Sequence, residues 1–300
     1  MKVKDRSKTY FTSQVNTLIQ NDIWFEGGES KGWKKAGLIC GAPEGVTTTA
    51  SDLPYIFVNE GKAYSNEGDI ANGFNRFFVN VGPKLANSIP TSEKHFSSFL
   101  NEPVQQNFVF ANVTHQSVLK CLSSLKTKKS AGNDNISTAL LKDIIPFILN
   151  PIVHLFNLSL KTGYIPDSYK QAKVIPIYKS QEKNDFTNYR PISLLSTFSK
   201  LLEKIVAKQM FRFLNKHKIL YEHQYGFRSG HDTTQPLLQL LDRIYEGLNA
   251  EDQRYSLGIF LDLKKAFDTV HHETLIYKLN HYGFTNVTNL WFRNYLSNRT

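Results

Sequence analysis

Asp262 lies inside an apolar run, SLGIFLDL at residues 256–263, flanked by Ile259, Phe260, Leu261 and Leu263. The run has the composition of a buried strand. An unpaired carboxylate there is costly unless a cation or strong donors compensate it. At the end of such a strand, facing a cleft, it would serve as a metal ligand. On an edge strand it would be a satisfied surface aspartate. Asp268 is either a second acidic group or the cap of the following helix. His271 and His272 lack metal-ligand spacing to any other residue and read as structural.

A second chemistry is basic. The chain has 36 Lys+Arg against 26 Asp+Glu, a net charge of +10. Residues 1–119 are balanced, with 11 of each sign, and residues 221–300 hold 8 basic and 9 acidic groups. Residues 120–220 hold 17 basic and 6 acidic residues, so the whole excess lies there. Such a region attracts a phosphate backbone by Coulomb force and counterion release. Within residues 197–218, Phe198, Leu201, Leu202, Ile205, Val206, Met210, Phe213 and Leu214 follow the spacing of a helix with one buried face. Lys200, Lys204, Lys208, Arg212 and Lys216 recur every four residues, predicting a continuous basic stripe on its other side, offset only by Glu203.

The elements that must position these groups alternate in type. Residues 55–64 predict a hairpin turning at 59–61, and residues 69–80 an amphipathic helix ending near Gly82-Pro83. Residues 22–49 read as loop and 88–107 as linker. A helix over 114–125 leads to the basic turn KTKKSAGNDN at 126–135. Pro146 and Pro151 predict a break between a helix over 137–145 and another over 154–161. Two short strands, 174–178 and 189–195, flank a polar loop, and prolines in both suit edge strands or bulges. After the basic helix come the Gly-rich QYGFRSG at 224–230, a helix over 233–249, the Asp262 strand and a helix entered through 264–270. The order defines an α+β fold.

Composition narrows the class further. With 41% hydrophobic and 13% aromatic residues, the 300-residue chain can bury a core, which excludes a disordered or low-complexity protein. Cys40 and Cys121 cannot build a disulfide framework or a Cys-rich zinc site. The most apolar stretch, 144–160, is shorter than the roughly 20 residues of a membrane span, and no secretory signal pattern opens the chain. These features predict a soluble intracellular protein.

SLGIFLDLKKAFDTVHHETL resembles the first catalytic block, motif A, of reverse transcriptases of jockey-like non-LTR retrotransposons. SAGNDNISTALLK resembles the opening block of that family. AKVIPIYK with NYRPISLLSTFSKLLEKIV resembles its fingers block, and QYGFRSGHDTTQPL the block before motif A. FNRFFVNVGPKLA resembles the connector between endonuclease and polymerase. The resemblance implies a right-hand polymerase fold limited to fingers and partial palm over 114–300, preceded by a mostly helical connector over 1–113, loosely packed beside it. It implies an RNA-directed DNA polymerase that uses an RNA template, a DNA primer, deoxynucleoside triphosphates and two Mg²⁺ ions, works without a membrane, and resides in nucleus and cytoplasm. Asp262 and the carbonyl of Leu263 would hold metal. Lys179 and Arg190 would grip the triphosphate, and Phe267 would exclude a 2′-hydroxyl.

The later Asp-Asp block of the family, motif C, has no match, since no Asp-Asp pair occurs in the sequence; motif B, the thumb and the endonuclease are unmatched too. Glu251-Asp252 lies in a polar turn. The chain therefore reads as an internal piece, inactive as it stands, and a non-catalytic RNA-binding remnant is the alternative. An RNA-dependent RNA polymerase is disfavoured by Phe267 and YRPISLL.

Overall fold

Two alternating triplets joined through Gly61, which takes φ +77°, pair as the antiparallel strands β1, Phe57–Asn59, and β2, Lys62–Tyr64. The computed structural model describes residues 54–300 except 55, 60, 91–92, 250–254 and 264. The loop expected over 22–49, Cys40, Glu251-Asp252 and Lys264 lie outside the described residues. Asn66 caps helix α1, Glu67–Asn87, by accepting from Asp69 N. The helix runs through Gly82 and an exposed Pro83 to Asn87, about one turn beyond the expected stop.

Helix α2, His115–Ser123, starts in a capping box between Thr114 and Ser117. Helix α3, Thr138–Thr162, is capped by Ser137 and ended by Gly163 at φ +72°. It corrects the expected break: Pro146 and Pro151 lie within one 25-residue helix, and both are exposed. The bonds proline cannot make are lost on the outer side, while Leu141, Ile145, Ile152, Phe156 and Leu160 hold the inner side in the core. Helix α3 is also long and apolar enough to cross a membrane by length and composition, contrary to the reading of 144–160.

Strands β3, Ala172–Tyr178, and β4, Tyr189–Leu195, form the expected antiparallel pair, with Pro176 opposite Pro191. Helix α4, Thr197–Lys216, is the centre of the molecule, with Leu201, Leu202, Ile205, Val206, Ala207, Met210 and Leu214 buried against α2 and α3. Helices α5, Thr234–Leu248, α6, His272–His281, and α7, Asn286–Leu296, follow. In α7, Trp291 stacks on Tyr295 and donates from Nε1 to Ser159 Oγ of α3 at 3.1 Å. Helices and strands mix as expected of an α+β chain.

Two cores result. The larger joins α2, α3, α4, α6 and α7 and takes Phe108 and Val113 from the preceding segment. The smaller is aromatic: Phe57, Tyr64, Phe74, Phe186 and Tyr189. It ties the N-terminal elements tightly to the β3–β4 loop, which overturns their expected loose packing.

Candidate nucleotide and nucleic-acid site

Antiparallel pairing decides how the β3–β4 hairpin presents its charges. Ile177 faces Arg190, Tyr178 faces Tyr189, and Lys179 N donates to Asn188 O at 2.8 Å. Side chains alternate between faces, so Arg190 and Lys179 are diagonal neighbours on one face, a relation that spaces residues roughly 7–8 Å apart. Both are exposed. Tyr178 and Tyr189 occupy the opposite face, within the aromatic core.

The opening block docks onto the far end of β4. Ser196 Oγ donates to Asp134 Oδ2 at 2.6 Å, and Thr197 Oγ1 donates to Ile136 O at 2.7 Å. Gly132 meets main chain there: a Cβ on it would stand 2.7 Å from Leu195 C and Ser196 N. Asp134 also accepts from Ile136 N, so one carboxylate orders its own turn and the start of α4.

The Asp262 segment departs from expectation. Residues 255–263 form no strand, and Asp262 is exposed. Leu257, Ile259, Phe260 and Leu261 are each at least 75% exposed, so the run is extended apolar chain with nothing packed on it among the described residues. A strand exists only with a neighbour to satisfy its main-chain groups, and none of the described strands pairs here. Among the described residues no group of three or more His, Cys, Asp or Glu could hold a metal ion.

Phe267 sits in the turn after this segment, half-exposed, edge-on to Phe227 of the QYGFRSG loop at 6.3 Å between ring centres. Asp268 has its pKa raised by burial, with Lys265 pulling it down. The following helix starts at His272 rather than within 264–270, and His271 caps it by accepting from Thr274 N. The structural reading of that histidine agrees with this contact.

The basic stripe is corrected. Lys204 is buried and donates to Ser124 O at 3.3 Å, while Lys208 reaches Cys121 Sγ at 3.3 Å. Helix α2 covers this side of α4, so a four-residue spacing marked a packed face. Lys200 is half-buried, and Arg212 and Lys216 are exposed. Lys126, Lys128 and Lys129 of the opening block are exposed as well.

Glu203 was legible only as an offsetting charge. It is buried in α4, where Oε1 accepts from Tyr295 OH at 2.8 Å and pairs with Arg299 at 3.4 Å. Burial raises its pKa above the usual 4.5, against the pull of Arg299, Tyr295 and Lys200. A carboxyl with a raised folded pKa contributes stability that is full below the unfolded value and lost as pH rises through the folded one. Melting temperature should therefore fall through this group as pH rises above about 4.5. Glu203→Gln should flatten that dependence in pH-resolved thermal melts; an unchanged slope would assign it to another group.

Residues 181–300 match the family model described as reverse transcriptase (RNA-dependent DNA polymerase). The relatives are narrower in kind. The chain is 30% identical over 231 residues, 73% of its length, to the "Probable RNA-directed DNA polymerase from transposon BS" of Drosophila melanogaster, and covers 24% of that protein. The "RNA-directed DNA polymerase from mobile element jockey" of the same fly is 30% identical over 62% of the chain and 20% of the relative. Its Drosophila funebris counterpart is 32% identical over 60% and 19%. The chain is thus similar to a reverse transcriptase segment of non-LTR retrotransposon type, and spans about a quarter or less of these relatives.

Proposed function

We propose that the chain contributes the fingers and the first part of the palm to an RNA-directed DNA polymerase, with residues 1–113 as connector and 114–300 as the polymerase part. Its substrates in that reading are an RNA template, a DNA primer and deoxynucleoside triphosphates, and its location is nuclear and cytoplasmic. The observation that carries it is the β3–β4 hairpin. Lys179 supplies a flexible point charge and Arg190 a forked guanidinium, side by side on one exposed face. That pairing suits a triphosphate better than a single cation would. Asp262 and Leu263 belong to the catalytic strand, Phe267 to the sugar-selecting position, and Mg²⁺ to a site completed by carboxylates outside these 300 residues. Lys179→Ala and Arg190→Ala should each weaken binding of a fluorescent deoxynucleoside triphosphate; undiminished binding in both would overturn the assignment.

Nucleic acid follows the exposed cations Arg212 and Lys216 of α4, Lys218, and Lys126, Lys128 and Lys129, with the half-buried Lys200 beside them on α4. Affinity for single-stranded RNA should fall steeply with salt. Replacing Arg212, Lys216 and Lys218 by Glu should weaken binding for all sequences alike and reduce the logarithmic salt slope by roughly 2. Lys204→Gln should instead lower stability, because its partners are protein groups. A slope unchanged by the triple substitution would make this face merely solvated. A non-catalytic RNA-binding role remains the second reading, favoured by the exposed, single carboxylate at Asp262.

A further inference from the structure

The face of the β3–β4 hairpin behind Lys179 and Arg190 is held by another element. Tyr178, Tyr189 and Phe186 turn into the aromatic core, where Phe74 of α1 meets Phe186 edge-on at 4.5 Å and Tyr189 at 5.0 Å. Phe186 is wholly buried and lies over Gly73, so closely that a Cβ there would stand 2.6 Å from its Cζ. Val58 N adds a hydrogen bond to Asn184 O at 2.9 Å in the same loop. The loop between Lys179 and Arg190 is thus gripped from behind by β1 and α1.

The same helix also touches the turn that carries Phe267. Phe77, one turn after Gly73, lies 6.4 Å from the Phe186 ring and receives the Lys265 ammonium 4.8 Å above its own. Gly82, two turns after Phe74, faces the main chain of Asp268 so closely that a Cβ would collide with its carbonyl oxygen. Residues 74, 78 and 82 follow the i, i+4 row of one helix face. One face of α1 therefore contacts the loop of the basic hairpin at one end and the turn after Asp262 at the other.

We infer that α1 is a brace that fixes the basic face of the hairpin relative to the Phe267 turn, with Phe74, Phe77 and Gly82 as positioning residues for nucleotide capture; this rests on the proposed nucleotide role of that hairpin. A helix that only completed a core would need Phe74 and Gly73, but would have no reason to press a glycine onto the turn 265–269. The seat at Gly82 separates the two roles. A Cβ at position 82 would overlap the main-chain carbonyl of Asp268, so a side chain there must displace the turn or the helix face against it.

The test uses the 300-residue chain with Cys40→Ser and spin labels on Glu182→Cys and Thr269→Cys; Cys121 is buried. The distance between labels, binding of a fluorescent deoxynucleoside triphosphate and the melting temperature are read together. Gly82→Leu should shift or broaden the distance distribution while the chain still melts cooperatively, whereas Gly132→Val, which overlaps main chain elsewhere, should lower the melting temperature with the distance unchanged. Gly82→Leu should weaken nucleotide binding roughly tenfold, since displacements of about 1 Å can cost up to ~10²-fold where held geometry matters. Phe77→Leu, which keeps apolar bulk but removes the ring under Lys265, should broaden the distribution less, and Lys179→Ala should weaken binding with the distance unchanged. A distribution unchanged in both Gly82→Leu and Phe77→Leu overturns the brace. Nucleotide binding indifferent to Lys179→Ala and Arg190→Ala overturns the role of the hairpin, while the distance measurement still decides for or against the brace.

Discussion

Valine at position 132 is expected to cost about 3 kcal/mol of stability, a large share of the roughly 5–15 kcal/mol that holds a domain together. The Cβ would stand 2.7 Å from Leu195 C and Ser196 N and 2.8 Å from Leu195 O. These are main-chain atoms at the point where β4 becomes α4, so no side-chain rotation relieves the overlap. Overpacking of this kind costs about 1–3 kcal/mol, and displacing Ser196, which accepts from Phe198 N and donates to Asp134, adds about 1 kcal/mol for the lost cap. Urea unfolding should show a lowered midpoint, and Gly132→Ala a smaller shift of the same sign. Gly226→Ala is the control, because the nearest atom to a Cβ there is a side-chain nitrogen of Gln224 at 3.8 Å. Equal midpoints for Gly132→Val and Gly226→Ala would mean that the opening block does not dock as described.

Local pattern carried far when the partner was local. The β3–β4 hairpin was legible because two short apolar runs flanking a polar loop specify both strands and their mate. Helix α5 was legible from its three-and-four spacing, yet Leu237, Leu241, Tyr245 and Leu248 remain exposed, because periodicity marks an apolar face without supplying what covers it. The same limit misread Lys204 and Lys208, whose regular spacing says nothing about α2 lying against them. Pro146 and Pro151 break a helix only when the lost bonds go uncompensated, and the apolar inner face of α3 holds the helix together across both. The Phe74–Phe186 contact spans more than a hundred residues of sequence, so no window could show it. Asp262 stands out as a carboxylate in strand-like sequence, but strand formation there depends on a partner that the described residues do not supply.

The 300-residue chain is expected to give no primer extension on an RNA template with deoxynucleotides and Mg²⁺. Asp262 is exposed on unpaired chain, and no cluster of three candidate ligands exists among the described residues. Two metal ions roughly 3.5–4 Å apart require more carboxylates than this segment brings together. A longer polymerase chain containing this segment and a later carboxylate pair should extend primers. There, Leu257, Ile259, Phe260, Leu261 and Leu263 should become covered, each contributing about 1.5–3 kcal/mol on full burial. The 300-residue chain should accordingly bind a hydrophobic dye and aggregate, and the longer chain should do neither. Asp262→Ala should reduce extension by the longer chain at least ~10³-fold, a loss of about 4 kcal/mol in transition-state stabilisation. Extension by the 300-residue chain that vanishes on Asp262→Ala would overturn this expectation, since it would require a further carboxylate within these 300 residues to complete the site.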